Sequence, residues 1–368
     1  MSARWVIAGG GTGGHVTPAL ALGEEARAAG DAVLFVGTDR GMETRLVPEA
    51  GFELVALASR PLVGRGLVQQ AGALAALVGS TWAAFRTLRR WKPDLVLSVG
   101  GYAAVPVTLA AALRGTPVAL LEANARPGAA NRLAARFAKR VFVEFDGSAE
   151  RLGAAARAVQ SGLPLRRQLI DALSSESIRE PAAPFRIFVS GGSQGARQVN
   201  DAVLGALKEL DVQDFEFVHQ TGEADRERIE AGYAAAGARA TVVAFERDMA
   251  SRYHWADLVV CRAGAFTLAE LALAHRASLL IPLVHTGGGE QIENARAREQ
   301  AGAARLLEPG DDLAARLAAA VRALLGEPVK LRAMAEAAGR LARPNAAATI
   351  LAECRTLLRA PLTAGGVA

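Results

Sequence analysis

The sequence predicts an α/β protein made of two doubly wound, Rossmann-like domains that face a central cleft. Short, continuous apolar runs alternate with helical runs along most of the 368 residues, which is typical of a parallel sheet covered on both faces. A glycine-rich turn follows the first apolar run, and a second such turn stands near residue 190, where the pattern restarts. Ligands of open α/β sheets bind at the carboxyl ends of the strands, so we expect both turns to lie at a ligand site.

The pattern divides the chain into two domains. We predict an N-terminal domain over residues 1–163 and a C-terminal domain over residues 164–344, with a final helix over 345–368 that packs back onto the first. The proline-containing stretch Gly162–Pro184 is interpreted as the linker. Buried strands are predicted at Trp5–Ala8, Val33–Gly37, Leu54–Leu57, Leu95–Val99, Val118–Leu121 and Val141–Val143, then at Phe185–Ser190, Val242–Phe245, Leu258–Cys261, Ser278–Ile281 and Ala304–Leu307.

Charge is distributed unevenly between the two halves. The first 163 residues carry 18 Lys and Arg against 12 Asp and Glu, although the whole chain has a net charge of only +5. Lysine-rich stripes with interleaved aromatic residues, the usual mark of a nucleic-acid surface, are absent from the sequence. The basic excess therefore favours an anionic membrane surface or a phosphorylated ligand. The distant Cys261 and Cys354 give no disulfide framework and indicate a reducing compartment, and the first residues do not read as a signal peptide.

The first glycine turn, Gly9–His15, lies between a predicted strand and a predicted helix. Unpaired N–H groups and the helix dipole make such a position an anion site, most often for phosphate. Gly9, Gly11 and Gly14 also fit the dinucleotide fingerprint, with Asp39 after the next strand, so a nicotinamide dehydrogenase and a turn without ligand remain alternatives. His15 adds a group that exchanges protons near neutral pH.

The second turn, Ser190–Arg197, repeats this architecture. A pair of such turns argues against a single dinucleotide cofactor, which would need only one. The segment Cys261–Glu270 also leads from a strand into a helix, with Arg262 as a candidate phosphate partner and Glu270 as a candidate acceptor for ribose hydroxyls. Gln291 and Asn294 share one helix face and could bind sugar hydroxyls. The sequence has no Asp-x-Asp motif and no cluster of His and Cys, so no metal is expected to be required, although Mg²⁺ could stimulate.

One segment, residues 62–92, is both apolar and basic. Leu67–Phe85 is mostly apolar and is followed by Arg86, Arg89, Arg90 and Lys92, with Trp82 and Trp91 nearby. A helix resting in a bilayer interface and an ordinary buried helix with a solvated end fit equally well. A second basic face, formed by Arg132, Arg136, Lys139 and Arg140, is interpreted as simple solvation.

These motifs together resemble one family, the peptidoglycan UDP-N-acetylglucosamine transferases called MurG. The resemblance rests on Gly10–His15, Gly100–Tyr102, Gly191–Arg197 with Asn200, Cys261–Glu270, and Gln291 with Asn294. It implies the two-domain GT-B architecture and transfer of GlcNAc from UDP-GlcNAc to undecaprenyl-pyrophosphoryl-muramoyl-pentapeptide, a step of cell-wall synthesis. It also implies peripheral attachment to the cytoplasmic face of the inner membrane, with other cell-wall synthesis proteins as further candidate partners.

The resemblance assigns roles to individual positions. Thr12, Gly13 and Gly14 would bind the acceptor pyrophosphate or lie beside the donor sugar, and Tyr102, Glu122 and Asn124 would line the acceptor side. Arg166 and Ser193 would meet the donor diphosphate, with Gln194 and Gly195 in the same turn, and the backbone around Phe245 and Glu246 would read uracil. Gly264, Ala265, Phe266, Thr267 and Leu268 would wrap the diphosphate and sugar, Glu270 would hold the ribose, and Gln291 and Asn294 would hold the GlcNAc hydroxyls.

The chain departs from the family pattern mainly on the acceptor side. Leu121 and Ala123 replace a usual His and Gln, Ala104 replaces a Ser, and Leu163 replaces an Asn. Three glycines followed by Glu290 and Gln291 stand where an Asp-x-x-Gln or His-Gln run is usual. The donor half therefore matches better than the acceptor half.

The expected chemistry is a single displacement at the anomeric carbon with inversion from α to β. His15 is the first candidate for the general base and Glu122 the second. Helix N-termini, Ser193, and Arg166 or Arg262 would stabilise the leaving diphosphate. The alternatives are another GT-B enzyme that uses a UDP-sugar, such as a glycolipid glycosyltransferase or a UDP-GlcNAc epimerase, and a paralogue that binds UDP-GlcNAc without turnover.

Overall fold

Two separate parallel sheets organise the computed structural model, which describes residues 2–11, 13–58, 67–174, 180–192, 194–283 and 289–359. Each sheet belongs to one compact unit. The first unit comprises Met1–Arg166 and Asn345–Ala368, and the second comprises Arg167–Pro344. Each is described below by itself.

The first unit is a seven-stranded sheet with helices between its strands. Its elements are β1 Arg4–Gly9, α1 Gly13–Ala28, β2 Ala32–Thr38, α2 Glu43–Glu49, β3 Glu53–Leu57, α3 Leu67–Trp91, β4 Leu95–Gly100, α4 Ala104–Arg114, β5 Val118–Glu122, α5 Ala129–Ala135, β6 Arg140–Val143, α6 Ser148–Arg151 and β7 Ala158–Gln160. The strand order is β3-β2-β1-β4-β5-β6-β7, and all neighbours pair in parallel. The order reverses between β1 and β4, which is the point where doubly wound sheets bind ligands.

The second unit repeats the plan with six strands. Its elements are α7 Arg167–Ser174, β8 Phe185–Ser190, α8 Arg197–Ala206, β9 Phe215–Gln220, α9 Arg226–Ala235, β10 Arg239–Val243, α10 Met249–Trp255, β11 Leu258–Cys261, α11 Ala265–Leu273, β12 Ser278–Leu280, α12 Glu290–Gln300, β13 Arg305–Leu306, α13 Leu313–Leu325 and α14 Pro328–Arg340. The strand order is β10-β9-β8-β11-β12-β13, again entirely parallel. The prediction of two Rossmann-like parallel sheets is confirmed.

Three local expectations differ from the structure. The predicted linker Gly162–Pro184 contains helix α7, because Leu173 is buried and the helix packs against α10. Two strands, β7 and β9, were not predicted. Strand β9 reads Phe-Glu-Phe-Val-His-Gln, and its polar residues mask it from a search for continuous apolar runs.

The last helix, α15 Ala346–Arg359, belongs to the first unit and packs against α1. Arg355 forms an ion pair with the buried Asp31, which also accepts hydrogen bonds from the Ala3 backbone N–H and from Trp5 Nε1. Burial by itself would raise the pKa of Asp31, but these three donors outweigh it and lower that pKa. The carboxylate therefore remains charged, and it connects the first strand of this unit to its last helix, α15.

Among the described residues, no helix combines the length and the apolar character needed to cross a bilayer.

Candidate active site

The first glycine turn lies at the carboxyl end of β1, and sheet register brings it beside a second turn. Gly9 pairs with Gly100 on β4, so Gly10 and Gly11 lie next to Gly101 and Tyr102. Gly11 has φ of +94°, and a Cβ there would lie 3.2 Å from Tyr102 Cε1. Only glycine meets both conditions without strain. Helix α1 begins at Gly13 and Gly14, whose N–H groups are at the positive end of its dipole. Thr12 lies outside the described residues.

Glu43, at the start of α2, stabilises this turn through hydrogen bonds. Its carboxylate accepts hydrogen bonds from Gly11 N–H at 2.9 Å, Thr38 N–H at 2.8 Å and Thr38 Oγ1 at 2.7 Å. Burial opposes its charge, but these bonds together lower the pKa of Glu43. A Cβ at Gly10 or Gly41 would come within 2.0 Å of a Glu43 oxygen. Sequence reasoning missed this residue, and the glycines at 10, 37 and 41 that surround it were the available signal.

His15 lies in the first turn of α1 and faces the β4 turn. A Cβ at Gly100 would be 3.0 Å from His15 Cδ2 and 3.2 Å from Asn131 Oδ1, so both side chains pack closely against this glycine. Burial lowers the pKa of His15, and the nearby negative charge of Glu43 offsets this only in part. The imidazole is therefore neutral at pH 7 and able to accept a proton.

Glu122 ends β5 and is 1% exposed. One carboxyl oxygen accepts from Asn124 N–H at 2.8 Å, and the other accepts from Asn131 Nδ2 at 2.9 Å. Burial raises the pKa of Glu122 to about 7, because these bonds only partly compensate for the lost hydration. The same Asn131 has a buried Oδ1 without a hydrogen-bond partner, and that atom lies 3.2 Å from the position a Cβ would take at Gly100. Sequence reasoning missed Asn131.

Two neighbours of Glu122 are apolar. Leu121 is 1% exposed on β5 and contributes only its carbonyl, which accepts from Asn131 Nδ2 at 3.2 Å. Ala123 carries no polar group.

Arg166, a predicted partner of the donor diphosphate, forms an ion pair with Glu24 at 2.7 Å within the first unit.

In the second unit, the glycine turn after β8 interlocks with the turn after β9. Ser190 pairs with Gln220, and Gln220 Nε2 donates to the Gly192 carbonyl at 2.9 Å. Gly195 has φ of +74°, and a Cβ there would come 2.0 Å from the Thr221 carbonyl oxygen. Gln194 makes the reciprocal contact, because a Cβ at Gly222 would lie 2.5 Å from its carbonyl oxygen. Ser193 lies outside the described residues.

A buried polar network lies behind this turn. His219 Nε2 lies 3.1 Å from Asn200 Oδ1, and its Nδ1 lies 3.1 Å from the Tyr233 hydroxyl. Asn200 Nδ2 donates to the Thr221 carbonyl at 3.1 Å and to Asp225 at 2.8 Å. Because Nδ2 is the donor, Oδ1 accepts from His219, and burial lowers the pKa of that histidine to about 3. The network is neutral at its centre and fixes the second glycine turn.

Arg262 reaches the same turn from the neighbouring strand. Cys261 pairs with Ser190, which places Arg262 beside Gly191 and Gly192. Its Nη1 donates to the Gly191 carbonyl at 3.3 Å, and its buried Nε has no hydrogen-bond partner. Burial lowers the pKa of Arg262, but the group remains a cation at any physiological pH. A cation and a glycine turn together suit a diphosphate.

Helix α11 starts next to this cation. Gly264 is its N-cap, and Ala265, Phe266, Thr267 and Leu268 form its first turn. Asn294 on α12 is fully buried, and its Nδ2 donates to the Ala263 carbonyl at 3.1 Å. Gln291 accepts from Leu283 N–H at 3.1 Å. Their hydrogen bonds tie α12 to the strand-end loops, so both amides have a positioning role in addition to the predicted contact with sugar hydroxyls.

The second unit also contains two hydrogen-bonded carboxylates, those of Glu246 and Glu270. Glu246, after β10, accepts from the Arg247 and Asp248 N–H groups and from Arg252 Nε at 2.6 Å. Burial by itself would raise the pKa of Glu246, but the Arg252 bond and the backbone donors lower it. The neighbouring Phe245 is exposed. Glu270 on α11 accepts from the Tyr253 hydroxyl at 2.7 Å, and burial raises its pKa to about 7.

Among the described residues, no group of three or more His, Cys, Asp and Glu side chains could hold a metal ion. The arrangement thus offers a neutral histidine beside a glycine turn in the first unit. The second unit offers a glycine turn, an arginine and a helix start near two carboxylates.

Family models match both units. The glycosyltransferase family 28 N-terminal domain matches residues 5–143, and the glycosyltransferase family 28 C-terminal domain matches residues 186–350.

Curated relatives match nearly the whole chain. A UDP-N-acetylglucosamine–N-acetylmuramyl-(pentapeptide) pyrophosphoryl-undecaprenol N-acetylglucosamine transferase of Anaeromyxobacter sp. (strain Fw109-5) is 42% identical over 360 residues, which cover 97% of this chain and 94% of the relative. The enzyme of the same name from Myxococcus xanthus (strain DK1622) is 43% identical over 357 residues, covering 96% and 92%.

Two solved structures are similar to this chain over nearly its whole length. The crystal structure of Acinetobacter baumannii MurG has a TM-score of 0.80 at 30% identity and covers 96% of this chain and 99% of that one. A UDP-GlcNAc 2-epimerase from Neisseria meningitidis, at a TM-score of 0.68 and 15% identity over 96% and 100%, shares the fold. With both family 28 domains, the MurG fold and relatives matched over more than nine-tenths of their length, this chain belongs to the family of UDP-N-acetylglucosamine–N-acetylmuramyl-(pentapeptide) pyrophosphoryl-undecaprenol N-acetylglucosamine transferases.

Proposed function

We propose that this protein is a hexosyltransferase that moves GlcNAc from UDP-GlcNAc to the C4 hydroxyl of the muramoyl sugar of undecaprenyl-pyrophosphoryl-MurNAc-pentapeptide. The observation that carries the proposal is identity of 42% to a transferase of that name along 97% of the chain. The second unit supplies groups for the donor, and the first supplies groups for the acceptor.

The donor diphosphate binds at the turn Gly191–Gly195, beside Arg262 and the start of α11. Arg262 Nη1 already donates to the Gly191 carbonyl, which holds the cation beside this turn. Positive charge fixed at this place stabilises the phosphate oxygens as UDP leaves. Because Arg262 and the helix start supply that charge, we propose that transfer requires no metal ion.

The acceptor hydroxyl attacks the anomeric carbon while His15 takes its proton. The bond between that carbon and the UDP oxygen breaks, the new glycosidic bond forms on the opposite face, and the configuration changes from α to β. A neutral imidazole suits this role, because it can take up the proton of the hydroxyl as the new bond forms. Glu122, with a pKa of about 7, is partly protonated at neutral pH and is the weaker candidate for the base.

Helix α3 supports a peripheral position on a membrane. Leu74, Val78 and Trp82 are spaced four residues apart and are 59%, 63% and 63% exposed, so they form one apolar stripe. Trp82 stacks on Phe85 at 5.7 Å, and exposed arginines follow at 86, 89 and 90. This combination suits an anionic bilayer surface, which we propose to be the cytoplasmic face.

The test is transfer of radiolabel from UDP-GlcNAc into a polyprenyl-pyrophosphoryl-muramoyl-pentapeptide analogue in detergent. Label that enters the lipid phase, with β configuration at the new bond, supports the proposal. Donor binding without transfer would mean that Leu121 and Ala123 mark another acceptor or a lost activity. Free sugar released without acceptor would point to an epimerase.

A further inference from the structure

Helix α10 holds two carboxylates of the second unit with adjacent residues. Arg252 Nε donates to Glu246 at 2.6 Å, and the Tyr253 hydroxyl donates to Glu270 at 2.7 Å. These carboxylates lie on different elements, the loop after β10 and helix α11. One short helix therefore sets the orientation of both acidic side chains at this edge of the sheet.

Tyr253 has no freedom to turn its hydroxyl elsewhere. Its side chain is completely buried, and its ring meets Phe188 edge-on with centroids 6.0 Å apart. The guanidinium of the buried Arg276 donates to the backbone carbonyls of Tyr253 and His254 and so fixes the end of α10. The hydroxyl is thus a preorganised donor whose position is set by the core.

The hydrogen bond occupies Glu270 Oε2 and leaves Oε1 on the other side of the carboxyl group. A carboxylate held in this way can accept hydrogen bonds from a vicinal diol, whereas a freely rotating one loses conformational entropy on binding. Tyr253 and the buried Cys261 are titratable groups that face Glu270, and burial raises the pKa of Cys261 to about 12, so its thiol stays neutral. The Tyr253 bond favours the charged form of Glu270, against the effect of burial.

We propose that Tyr253 is a positioning residue for the nucleoside of the donor, because its hydroxyl holds Glu270 in the orientation that accepts the ribose hydroxyls. The inference rests on the proposed function, since it takes the nucleoside to be that of UDP-GlcNAc. Tyr253 itself does not touch the ligand.

The decisive experiment compares UDP binding by Tyr253→Phe and Thr108→Val, measured by calorimetry on the full chain. Both variants delete one buried hydroxyl, but Thr108 lies on α4 of the first unit, and its hydroxyl has no hydrogen-bond partner. The Tyr253 hydroxyl does not touch the ligand, so its removal lowers UDP affinity only through the cost of ordering the released Glu270 side chain, and we expect a loss of about 3-fold to 10-fold. We expect Thr108→Val to stay within about 2-fold of wild type, because it shares no partner with the donor groups. Unfolding curves of both variants establish that they are folded.

Two further readouts separate positioning from general destabilisation. With 2′-deoxy-UDP the gap between wild type and Tyr253→Phe should shrink, because part of the contact to Glu270 is then absent from both. In transfer assays the KM for UDP-GlcNAc should rise while kcat changes little. The acid limb of kcat/KM for the donor should also move to higher pH, because the variant lacks the bond that lowers the pKa of Glu270.

Equal UDP affinities for the two variants would overturn the inference, as would a loss that is the same for UDP and its 2′-deoxy analogue. If wild type binds UDP and transfers GlcNAc while the variants behave alike, only the role of Tyr253 fails. If wild type binds no UDP, the proposed function fails first and takes this inference with it.

Discussion

The Glu43 carboxylate accepts a hydrogen bond from the backbone N–H of Gly11 at 2.9 Å, which joins the start of α2 to the first glycine turn. A negative charge close to a proposed phosphate site would repel the ligand. This carboxylate, however, accepts three hydrogen bonds from Gly11 and Thr38, which offset its charge. It thereby fixes the turn and leaves the N–H groups at the start of α1 for a ligand. Gly10 and Gly41 leave room for this carboxylate, because a Cβ at either position would lie 2.0 Å from one of its oxygens.

Substitution of Gly41 by alanine should therefore destabilise the protein through Glu43. The new Cβ would lie 2.0 Å from Glu43 Oε2, and overpacking of this kind typically costs about 1–3 kcal/mol. In a Glu43→Ala background the same change should cost little, because the obstructing carboxylate is gone. Thermal unfolding of the two single variants and the double variant measures the coupling. Gly79→Ala is the matched control, since no atom lies within 4 Å of its Cβ position. Additive effects of Gly41→Ala and Glu43→Ala would refute the steric explanation.

Substitution of His15 by glutamine should reduce kcat for transfer by about 10²-fold or more, because the general base is lost. UDP affinity should not change, since the donor groups belong to the second unit. Burial lowers the pKa of His15 from 6.5, so in wild type kcat should fall as the pH drops below 6.5 and the imidazole becomes protonated. Transfer that survives in His15→Gln, with the same acid limb, would assign the proton to another group.

Glu122 should make the protein less stable as the pH rises. Its pKa is raised from 4.5 to about 7 in the folded state, so its contribution is complete below pH 4.5 and is lost as the pH rises through 7. Relative to Glu122→Gln, wild type should lose stability on the order of 3 kcal/mol between these limits. The Asn131 amide can turn to receive the glutamine N–H groups, because its Oδ1 has no partner.

Unfolding of wild type and Glu122→Gln in urea between pH 5 and 8.5 measures this difference. Shifts from Glu270 and the histidines cancel, since both proteins carry them. Glu53→Gln, which replaces an exposed carboxylate, is the control for the substitution itself. Parallel profiles for wild type and Glu122→Gln would show that Glu122 ionises normally.

Trp82 should contribute to binding of anionic vesicles. Its side chain is 63% exposed on the apolar stripe of α3, and removing a large apolar group from a bilayer contact costs about 1.5–3 kcal/mol. Trp82→Gln should therefore bind vesicles of phosphatidylglycerol at least about 10-fold more weakly in sedimentation, which is the affinity equivalent of that cost. Val329→Gln is the control, because Val329 is 81% exposed on α14 of the second unit. Equal losses in both variants would argue against a specific contact by α3.

The glycine turns and most strands could be predicted because their signals are local. A run of apolar residues that leads into glycines and then a helix has few other structural solutions. Arg262 and Glu270 were found in the same way, since Arg262 directly follows a buried strand and Glu270 lies in the helix that comes next. The departures at Leu121 and Ala123 were equally visible, because two positions of a four-residue motif differ.

The positioning residues could not be predicted because their roles depend on distant partners. Glu43 reads as an ordinary acid at a helix start until β2 and the first turn are brought to it. Asn131 lies nine residues after Glu122, and only the fold turns its amide toward that carboxyl group. Tyr253 resembles any core tyrosine in sequence. Asn294 was predicted as a sugar ligand, and its burial beneath the Ala263 carbonyl appears only in three dimensions.

The pairing of Arg355 with Asp31 has a consequence for synthesis on the ribosome. Residues 167–344 are inserted between the two parts of the first unit, so the whole second unit is translated before Arg355 is made. During that time the Asp31 carboxylate has only Ala3 and Trp5 as donors, and the nascent first unit is incomplete although its seven strands are present. Domains generally fold as units in the order of their synthesis, but here the second can finish before the first. A premature stop codon near residue 345 would therefore damage the unit at the opposite end of the gene.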